Sequence, residues 1–159
     1  MALLPNAGPP LPMTHTPIPA AEMMRLARAL RSAVGGEPVT VEAVSRVAEE
    51  EGAPVSHVYA AMAMDPNLAP AKVHDILVAI CVGSCQAQGA IPVLEVLLEE
   101  RQRRQARGAR AFDILPRSCL DLCSHSPACM SRTPNAMQAH PQLTPEKTHA
   151  LVSELCDGE

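Results

Sequence analysis

The sequence predicts an α/β fold in which a small helical subdomain is followed by a domain of strands and helices. Apolar residues recur at three- and four-residue spacing up to about residue 65, which is typical of amphipathic helices. From residue 73 the pattern changes to short apolar runs rich in β-branched residues, which are typical of buried strands. We therefore predict a disordered proline-rich arm over 1–19, a helical subdomain over 20–70 and an α/β domain over 71–159.

The composition excludes several classes of protein. The 159 residues include 13 Lys and Arg against 17 Asp and Glu, with one Tyr, one Phe and no Trp, which argues against nucleic-acid binding. No apolar run approaches the roughly 20 residues of a membrane span, and no basic residue precedes Arg25. We expect a cytoplasmic protein without membrane insertion. Its six cysteines are then expected to be metal ligands or redox groups rather than structural disulfides.

The helical subdomain is predicted to contain three helices. The first begins at Ala20 and ends before Gly35, because glycine commonly follows the last helical turn. The second has Thr40 as its N-cap, where its hydroxyl can accept a backbone N–H, and ends at Gly52. The third covers residues 56–64 and stops at an Asp-Pro step.

The α/β domain is predicted to have the element order β-α-β-β-β-α. Strands are predicted over 76–82, 111–115, 128–132 and 136–139, and helices over 88–107 and 144–156. Charged residues between Glu95 and Arg104 are predicted to form the solvent face of the longer helix. The first strand, the helix and the second strand should form a right-handed crossover. This order is that of a thioredoxin-like domain.

Four cysteines form two pairs with identical spacing. Cys81 and Cys85 follow the first predicted strand, and Cys119 and Cys123 follow the second. Because the carboxyl ends of parallel strands meet at one edge of a sheet, we expect the four thiols to converge. Four thiolates can hold a 2Fe-2S cluster or a tetrahedral zinc ion, and they can also form disulfides or pack as ordinary core thiols.

The spacing of the pairs favours a cluster over the alternatives. Structural zinc sites favour C-x2-C, whereas both pairs here are C-x3-C, which suits a cluster with one iron on each pair. Gly83 would let the backbone approach inorganic sulfide, and the helix after Cys85 would direct its N–H groups toward an anionic cluster. The C-x-x-C of a thioredoxin-type reductase is absent. Zinc binding and thiol chemistry remain open on this pattern.

Three segments carry a resemblance to a known family: ICVGSCQAQGA, RSCLDLCSHSPACM and LTPEKTHALVSEL. They resemble the thioredoxin-like 2Fe-2S ferredoxin family, whose best-known member is the small subunit of the NADH-dehydrogenase module of respiratory complex I. Counterparts serve NAD-linked formate dehydrogenases and bidirectional hydrogenases. The resemblance covers about residues 22–156 and implies a thioredoxin-like 2Fe-2S ferredoxin domain. It also implies that Cys81, Cys85, Cys119 and Cys123 ligate one cluster per chain.

The resemblance implies an electron-transfer subunit without substrate turnover of its own. Its partner would be a subunit that binds flavin and NAD, so FMN and NAD are expected on that partner and not on this chain. The absence of a G-x-G-x-x-G or P-loop pattern is consistent with this expectation. Two alternatives are a zinc-bound or metal-free assembly adaptor of the same fold, and a thiol-redox protein.

Several residues carry more specific expectations. The family usually has a wider first cysteine pair, and Asp121 replaces its glycine in the second motif. A carboxylate at Asp121 should favour the oxidised cluster and lower its potential. Cys129 is predicted to be a buried thiol and the obvious substitute for a displaced ligand, whereas Cys156 has no predicted role. His125 is predicted to be a loop histidine that faces water, with a hydrogen bond to cluster sulfur as the alternative.

Overall fold

A computed structural model of the chain describes residues 9–158 and has the predicted mixture of helices and strands. The helices are α1 (Ala20–Val34), α2 (Val41–Glu51), α3 (Val55–Ala61), α4 (Ala90–Ala106) and α5 (Pro145–Asp157). The strands are β1 (Leu77–Cys81), β2 (Asp113–Arg117), β3 (Cys129–Arg132) and β4 (Met137–His140). Short 3-10 turns lie at Met62–Met64, Ser84–Gln88 and Cys123–His125.

The four strands form one mixed sheet with the order β2-β1-β3-β4. β1 and β2 are parallel, and Cys81 at the end of β1 lies opposite Arg117 at the end of β2. β3 runs antiparallel to β1, with Cys129 opposite Ile80, and β4 runs antiparallel to β3. The parallel pair therefore brings the two cysteine-bearing loops to the same edge of the sheet.

The helix ends follow the signals in the sequence. The Thr40 hydroxyl accepts the N–H of Ala43 at 3.1 Å, which satisfies a backbone donor in the first turn of α2. Gly52 ends this helix with a φ of 63°, in the left-handed region that glycine adopts without strain. Thr144 caps α5 in the same way through the N–H of Lys147. Both predicted N-caps are therefore confirmed.

One hydrophobic core joins the helical part to the sheet. Large, fully buried side chains come from the N-terminal helices, the sheet and α4, and they include Leu26, Leu30, Val44, Val58, Ile80, Leu94 and Ile114. The core is aliphatic apart from Phe112 and Tyr59. The helical part thus packs directly on the domain that carries the four cysteines, and the domain boundaries stay predictions.

Strand β2 begins two residues later than the sequence predicts. Phe112 is fully buried just before the strand, so its hydrophobicity does not mark a strand position. Asp113 opens the strand and is itself buried. Its Oδ2 accepts the N–H groups of Val73 and His74 at 2.9 Å and 3.0 Å. Asp113 therefore links the segment that precedes β1 to strand β2 through two hydrogen bonds.

Replacing Asp113 with alanine is expected to destabilise the fold by about 1–3 kcal/mol, because two backbone N–H groups would lose their acceptor. The free energy of unfolding from a urea titration measures this loss. Asp75→Ala is the control, since Asp75 forms an exposed ion pair with Arg110 at 3.1 Å that should contribute about 1 kcal/mol or less. Equal losses in the two variants would contradict the role assigned to Asp113.

The charged run on α4 is less exposed than the sequence predicts. Glu100, Arg101 and Arg104 are buried, with relative exposures of 8%, 5% and 4%. Arg101 donates to the Tyr59 hydroxyl at 2.6 Å, and Arg104 donates to Asp157 at 2.8 Å. These side chains are covered because α3 and α5 both pack against α4. The prediction of a uniformly solvated face is wrong for these three positions.

The proline-rich arm enters the structure at Pro9, and residues 1–8 of the predicted disordered arm lie outside the described residues. Its later part runs without helix or strand along the 3-10 turn Ser84–Gln88. The N–H of His15 donates to the Ala87 carbonyl at 3.0 Å, and that of Ile18 donates to the Gln86 side chain at 2.8 Å. These contacts place this part of the arm against the turn that carries Cys85.

Candidate metal centre

The two cysteine pairs lie on neighbouring loops but differ in burial. Cys81 is the last residue of β1, and Cys85 lies in the 3-10 turn that follows it. Both are buried, with exposures of 2% and 1%. Cys119 and Cys123 follow β2 and are exposed. All four are free thiols, so the site has an inner pair and an outer pair.

Hydrogen-bond donors converge on the sulfur of Cys81. The Cys85 thiol donates to it, and the backbone N–H groups of Gly83, Cys85 and Leu120 are also directed at it. Donation by Cys85 and these N–H groups lowers the pKa of Cys81 below its ordinary value despite burial. The pKa of Cys85 is raised by the same thiol–thiol hydrogen bond and by burial. Within the inner pair, one negative charge is therefore favoured on the Cys81 sulfur and disfavoured on the Cys85 sulfur.

The outer pair is organised by the backbone around Asp121. The Sγ atoms of Cys119 and Cys123 are 3.8 Å apart, and the N–H of Asp121 donates to the Cys119 Sγ at 3.3 Å. Asp121 has a φ of 57°, a left-handed conformation in which aspartate is tolerated better than most residues. The Asp121 carboxylate oxygen is also 3.8 Å from the Cys119 sulfur. A carboxylate therefore lies beside the Cys119 sulfur, and its predicted effect on a cluster stays a prediction.

The two pairs lie close enough to influence each other electrostatically. The N–H of Asp121 favours the Cys119 thiolate, but the hydrogen bond with Cys123 and, to a smaller extent, a charge on Cys81 raise the pKa of Cys119. The pKa of Cys85 is raised mainly by its hydrogen bond with Cys81 and by burial, with a small contribution from a charge on Cys123. Within residues 9–158, no three His, Cys, Asp or Glu side chains are grouped tightly enough to hold one metal ion. The thiols thus form two separate pairs on neighbouring loops, and in a dinuclear cluster each pair could hold one iron.

Gly83 allows the two loops to approach each other. A Cβ atom at this position would lie 2.1 Å from the carbonyl oxygen of Ser118, far inside van der Waals contact. The same carbonyl accepts a hydrogen bond from the Cys81 thiol at 3.5 Å, and the Val82 N–H donates to the Arg117 carbonyl at 2.8 Å. Gly83 thus allows the backbone of the second loop to approach, and the predicted approach of Gly83 to sulfide stays a prediction.

The expected helix N-terminus does not follow Cys85 directly. The 3-10 turn Ser84–Gln88 lies between, and α4 begins at Ala90 rather than at Gln88. Gly89 joins the two with a φ of 105°, which a glycine adopts readily. The N–H groups directed at Cys81 therefore belong to the loops and not to the first turn of α4.

The Ser126-Pro127 step belongs to the second motif of the sequence, but the sequence predicted no role for the Ser126 hydroxyl, which the structure places at the inner pair. The residue is 2% exposed, and its hydroxyl oxygen has no hydrogen-bond partner among the described residues. It lies near Cys85 of the inner pair. A buried hydroxyl without an acceptor is unusual in a folded protein and costs stability. A bound group that supplied a hydrogen-bond acceptor at this position would satisfy the Ser126 hydroxyl, so the residues around the inner pair fit such a group.

The remaining candidate residues occupy ordinary positions. Cys129 is fully buried in β3, as predicted, and burial together with the charge on Cys81 raises its pKa. Cys156 is buried in α5. His125 is partly exposed, and its Nδ1 lies 2.9 Å from the Ser124 hydroxyl rather than at a cysteine sulfur.

Comparison with known proteins places this arrangement in a family. The family model of the thioredoxin-like [2Fe-2S] ferredoxin matches residues 13–156, most of the chain. The chain belongs to this family. Membership of the thioredoxin-like [2Fe-2S] ferredoxin family confirms the predicted fold class and supports a 2Fe-2S cluster and an iron–sulfur electron-transfer role. No helix among residues 9–158 is long and apolar enough to cross a membrane.

Solved structures of a family member from Aquifex aeolicus are similar to this chain. Its wild-type thioredoxin-like [2Fe-2S] ferredoxin is 22% identical, with a TM-score of 0.46 over 54% of this chain and 89% of the other. A cysteine-to-serine variant of that ferredoxin is 23% identical, with a TM-score of 0.46 over 53% of this chain and 90% of the variant. A comparison with curated proteins gives no match.

Proposed function

We propose that this chain is a cytoplasmic electron-transfer subunit that binds one 2Fe-2S cluster and works beside a subunit that binds FMN and NAD. Cys81, Cys85, Cys119 and Cys123 are the proposed ligands. The larger assembly would be an NAD-dependent oxidoreductase of the NADH-dehydrogenase, formate-dehydrogenase or hydrogenase type. The observation that carries the proposal is the meeting of two free thiol pairs at the carboxyl ends of β1 and β2, in a chain of this family.

The difference in burial between the pairs supports electron exchange at the protein surface. The inner pair is held by backbone N–H groups and excluded from water, which favours retention of iron and stabilises negative charge. The outer pair, Cys119 and Cys123, is exposed, so a partner can approach a cluster there without opening the fold. A cluster supplies the one-electron chemistry, and the chain supplies burial, charge and hydrogen bonds around it.

A surface beside the outer pair supports docking through the helical subdomain. Met24 and Met64 are 45% and 44% exposed and line an open groove of about 310 Å³ together with Arg28. The groove adjoins the second cysteine loop, because the Ser118 hydroxyl donates to the Ala63 carbonyl at 2.8 Å. Exposed methionines adapt to a partner surface, and Arg28 suits an acidic group on it. We propose that the flavin-binding subunit covers this groove.

Asp121→Asn is expected to raise the reduction potential of the loaded protein. The exposed carboxylate beside Cys119 disfavours an additional electron, and asparagine removes the charge while tolerating the left-handed backbone. A charge a few ångströms away contributes about 1 kcal/mol in a solvated setting, so the shift should be on the order of tens of millivolts. A redox titration followed by visible absorption measures it. Glu95→Gln, on the exposed side of α4, is the control and should leave the potential unchanged.

The proposed partnership is tested by purifying the affinity-tagged chain from its native cell without oxygen. We expect bound FMN in the eluate and bleaching of the cluster absorption on addition of NADH. The reconstituted chain alone should be bleached by dithionite and not by NADH, because its sequence has no nucleotide-binding pattern.

Two results would contradict this proposal. An eluate that lacks flavin and whose cluster NADH does not reduce would argue against the NAD-linked assembly. A chain that carries zinc in place of iron would instead support the assembly-adaptor alternative.

A further inference from the structure

Ser126 is the one buried hydroxyl near the thiol pairs that lacks an acceptor among the described residues. Two other buried hydroxyls have partners: that of Ser131 lies 2.7 Å from the His140 ring, and that of Thr148 donates to the Thr144 carbonyl at 2.7 Å. The other buried polar atom without a partner, Arg104 Nε, belongs to a guanidinium whose remaining nitrogens are bonded to Asp157. Ser126 therefore calls for its own explanation.

The surroundings of Ser126 point to sulfur as the missing acceptor. Its hydroxyl lies beside Cys85 of the inner pair, and both side chains are buried away from water. A protonated thiol offers Ser126 only a weak acceptor. Once Cys85 is a thiolate ligand it carries negative charge, and a hydrogen bond from Ser126 becomes charge-assisted and stronger.

We propose that Ser126 is a positioning residue for the redox centre, whose hydroxyl donates to the Cys85 sulfur when Cys85 ligates iron and thereby raises the reduction potential. The inference rests on the proposed function. An added electron increases the negative charge on the sulfur ligands, so a donor to sulfur stabilises the reduced state more than the oxidised state. The effect is strengthened by burial, since Ser126 and Cys85 are only 2% and 1% exposed.

Ser126→Ala in the cluster-loaded full chain tests the proposal. We expect unchanged iron per chain and a reduction potential that falls by about 59 mV, which corresponds to a tenfold change in the equilibrium constant of a one-electron couple. A second readout is the iron–sulfur stretching region of the resonance Raman spectrum. Its shift on transfer to D2O should be smaller in Ser126→Ala, because one exchangeable donor to sulfur has been removed.

Ser124→Ala is the matched control. Ser124 lies in the same loop and also carries a hydroxyl, but it is exposed and its hydroxyl pairs with His125 at 2.9 Å. Its removal should change neither the potential nor the Raman spectrum. Equal potentials in Ser126→Ala and the unmodified protein, with equal iron content, would overturn the inference and leave the proposed function standing. Failure of the unmodified chain to bind iron and sulfide would overturn both.

Discussion

Cys119→Ser and Cys123→Ser are expected to abolish the visible absorption of the reconstituted protein. Both thiols belong to the outer pair, and serine replaces a soft thiolate with a poor ligand for iron. The loss of metal affinity should exceed the roughly 10–100-fold decrease that follows mutation of residues hydrogen-bonded to the ligands, because here a ligand itself is replaced. Cys81→Ser and Cys85→Ser should have the same effect. Iron and sulfide per chain, measured beside the visible spectrum, give the result.

The two other cysteines provide controls within the same chain. Cys156 lies in α5, away from the two loops, and Cys156→Ser should keep the full absorption. Cys129 is the more stringent control, because it is fully buried and lies close to the inner pair. A charge on Cys81 adds to the effect of burial in raising the pKa of Cys129. Cys129→Ser should also retain the cluster. Loss of the cluster in Cys129→Ser together with its retention in Cys85→Ser would show that the ligand assignment is wrong.

Gly83→Ala is expected to prevent cluster assembly with all four cysteines in place. The new methyl group would lie 2.1 Å from the Ser118 carbonyl oxygen, and a backbone atom cannot move aside as a flexible side chain can. The two loops must therefore separate, which pulls the inner and outer pairs apart. Overpacking of this kind costs about 1–3 kcal/mol of stability. Iron per chain after reconstitution and the free energy of unfolding measure the two effects.

Gly52→Ala is the matched control for this variant. Gly52 has a φ of 63°, and a Cβ atom there meets nothing within 4 Å. Alanine at this position should cost about 1–2 kcal/mol through left-handed strain alone, with no loss of iron. Retention of a full cluster in Gly83→Ala would contradict the role assigned to the close approach of the loops.

Local signals in the sequence were sufficient to predict much of the secondary structure. The N-caps Thr40 and Thr144 act within three residues of themselves, so their effect does not depend on the rest of the fold. The start of β2 was harder to predict from the sequence, because Phe112 is as apolar as a strand residue although it precedes the strand. The burial of Arg101 and Arg104 could not be predicted, since it depends on α3 and α5 packing against α4.

The position of the candidate site was also predictable, but its internal structure was not. Two C-x3-C pairs directly after parallel strands must meet at one edge of the sheet, and the structure brings them there. The burial of Cys85 and the exposure of Cys119 depend on how each loop folds over the sheet. The contact between Gly83 and Ser118, and the unpaired hydroxyl of Ser126, join residues far apart in sequence, so no local pattern reveals them.

The central claim is that the two thiol pairs hold one redox-active 2Fe-2S cluster. The most direct test is a visible absorption spectrum of anaerobically purified full-length protein before and after dithionite, with iron and zinc counted on the same sample. We expect charge-transfer bands that bleach on reduction and about two irons per chain. A colourless protein with about one zinc ion, or with no metal after reconstitution with iron and sulfide, would contradict the claim.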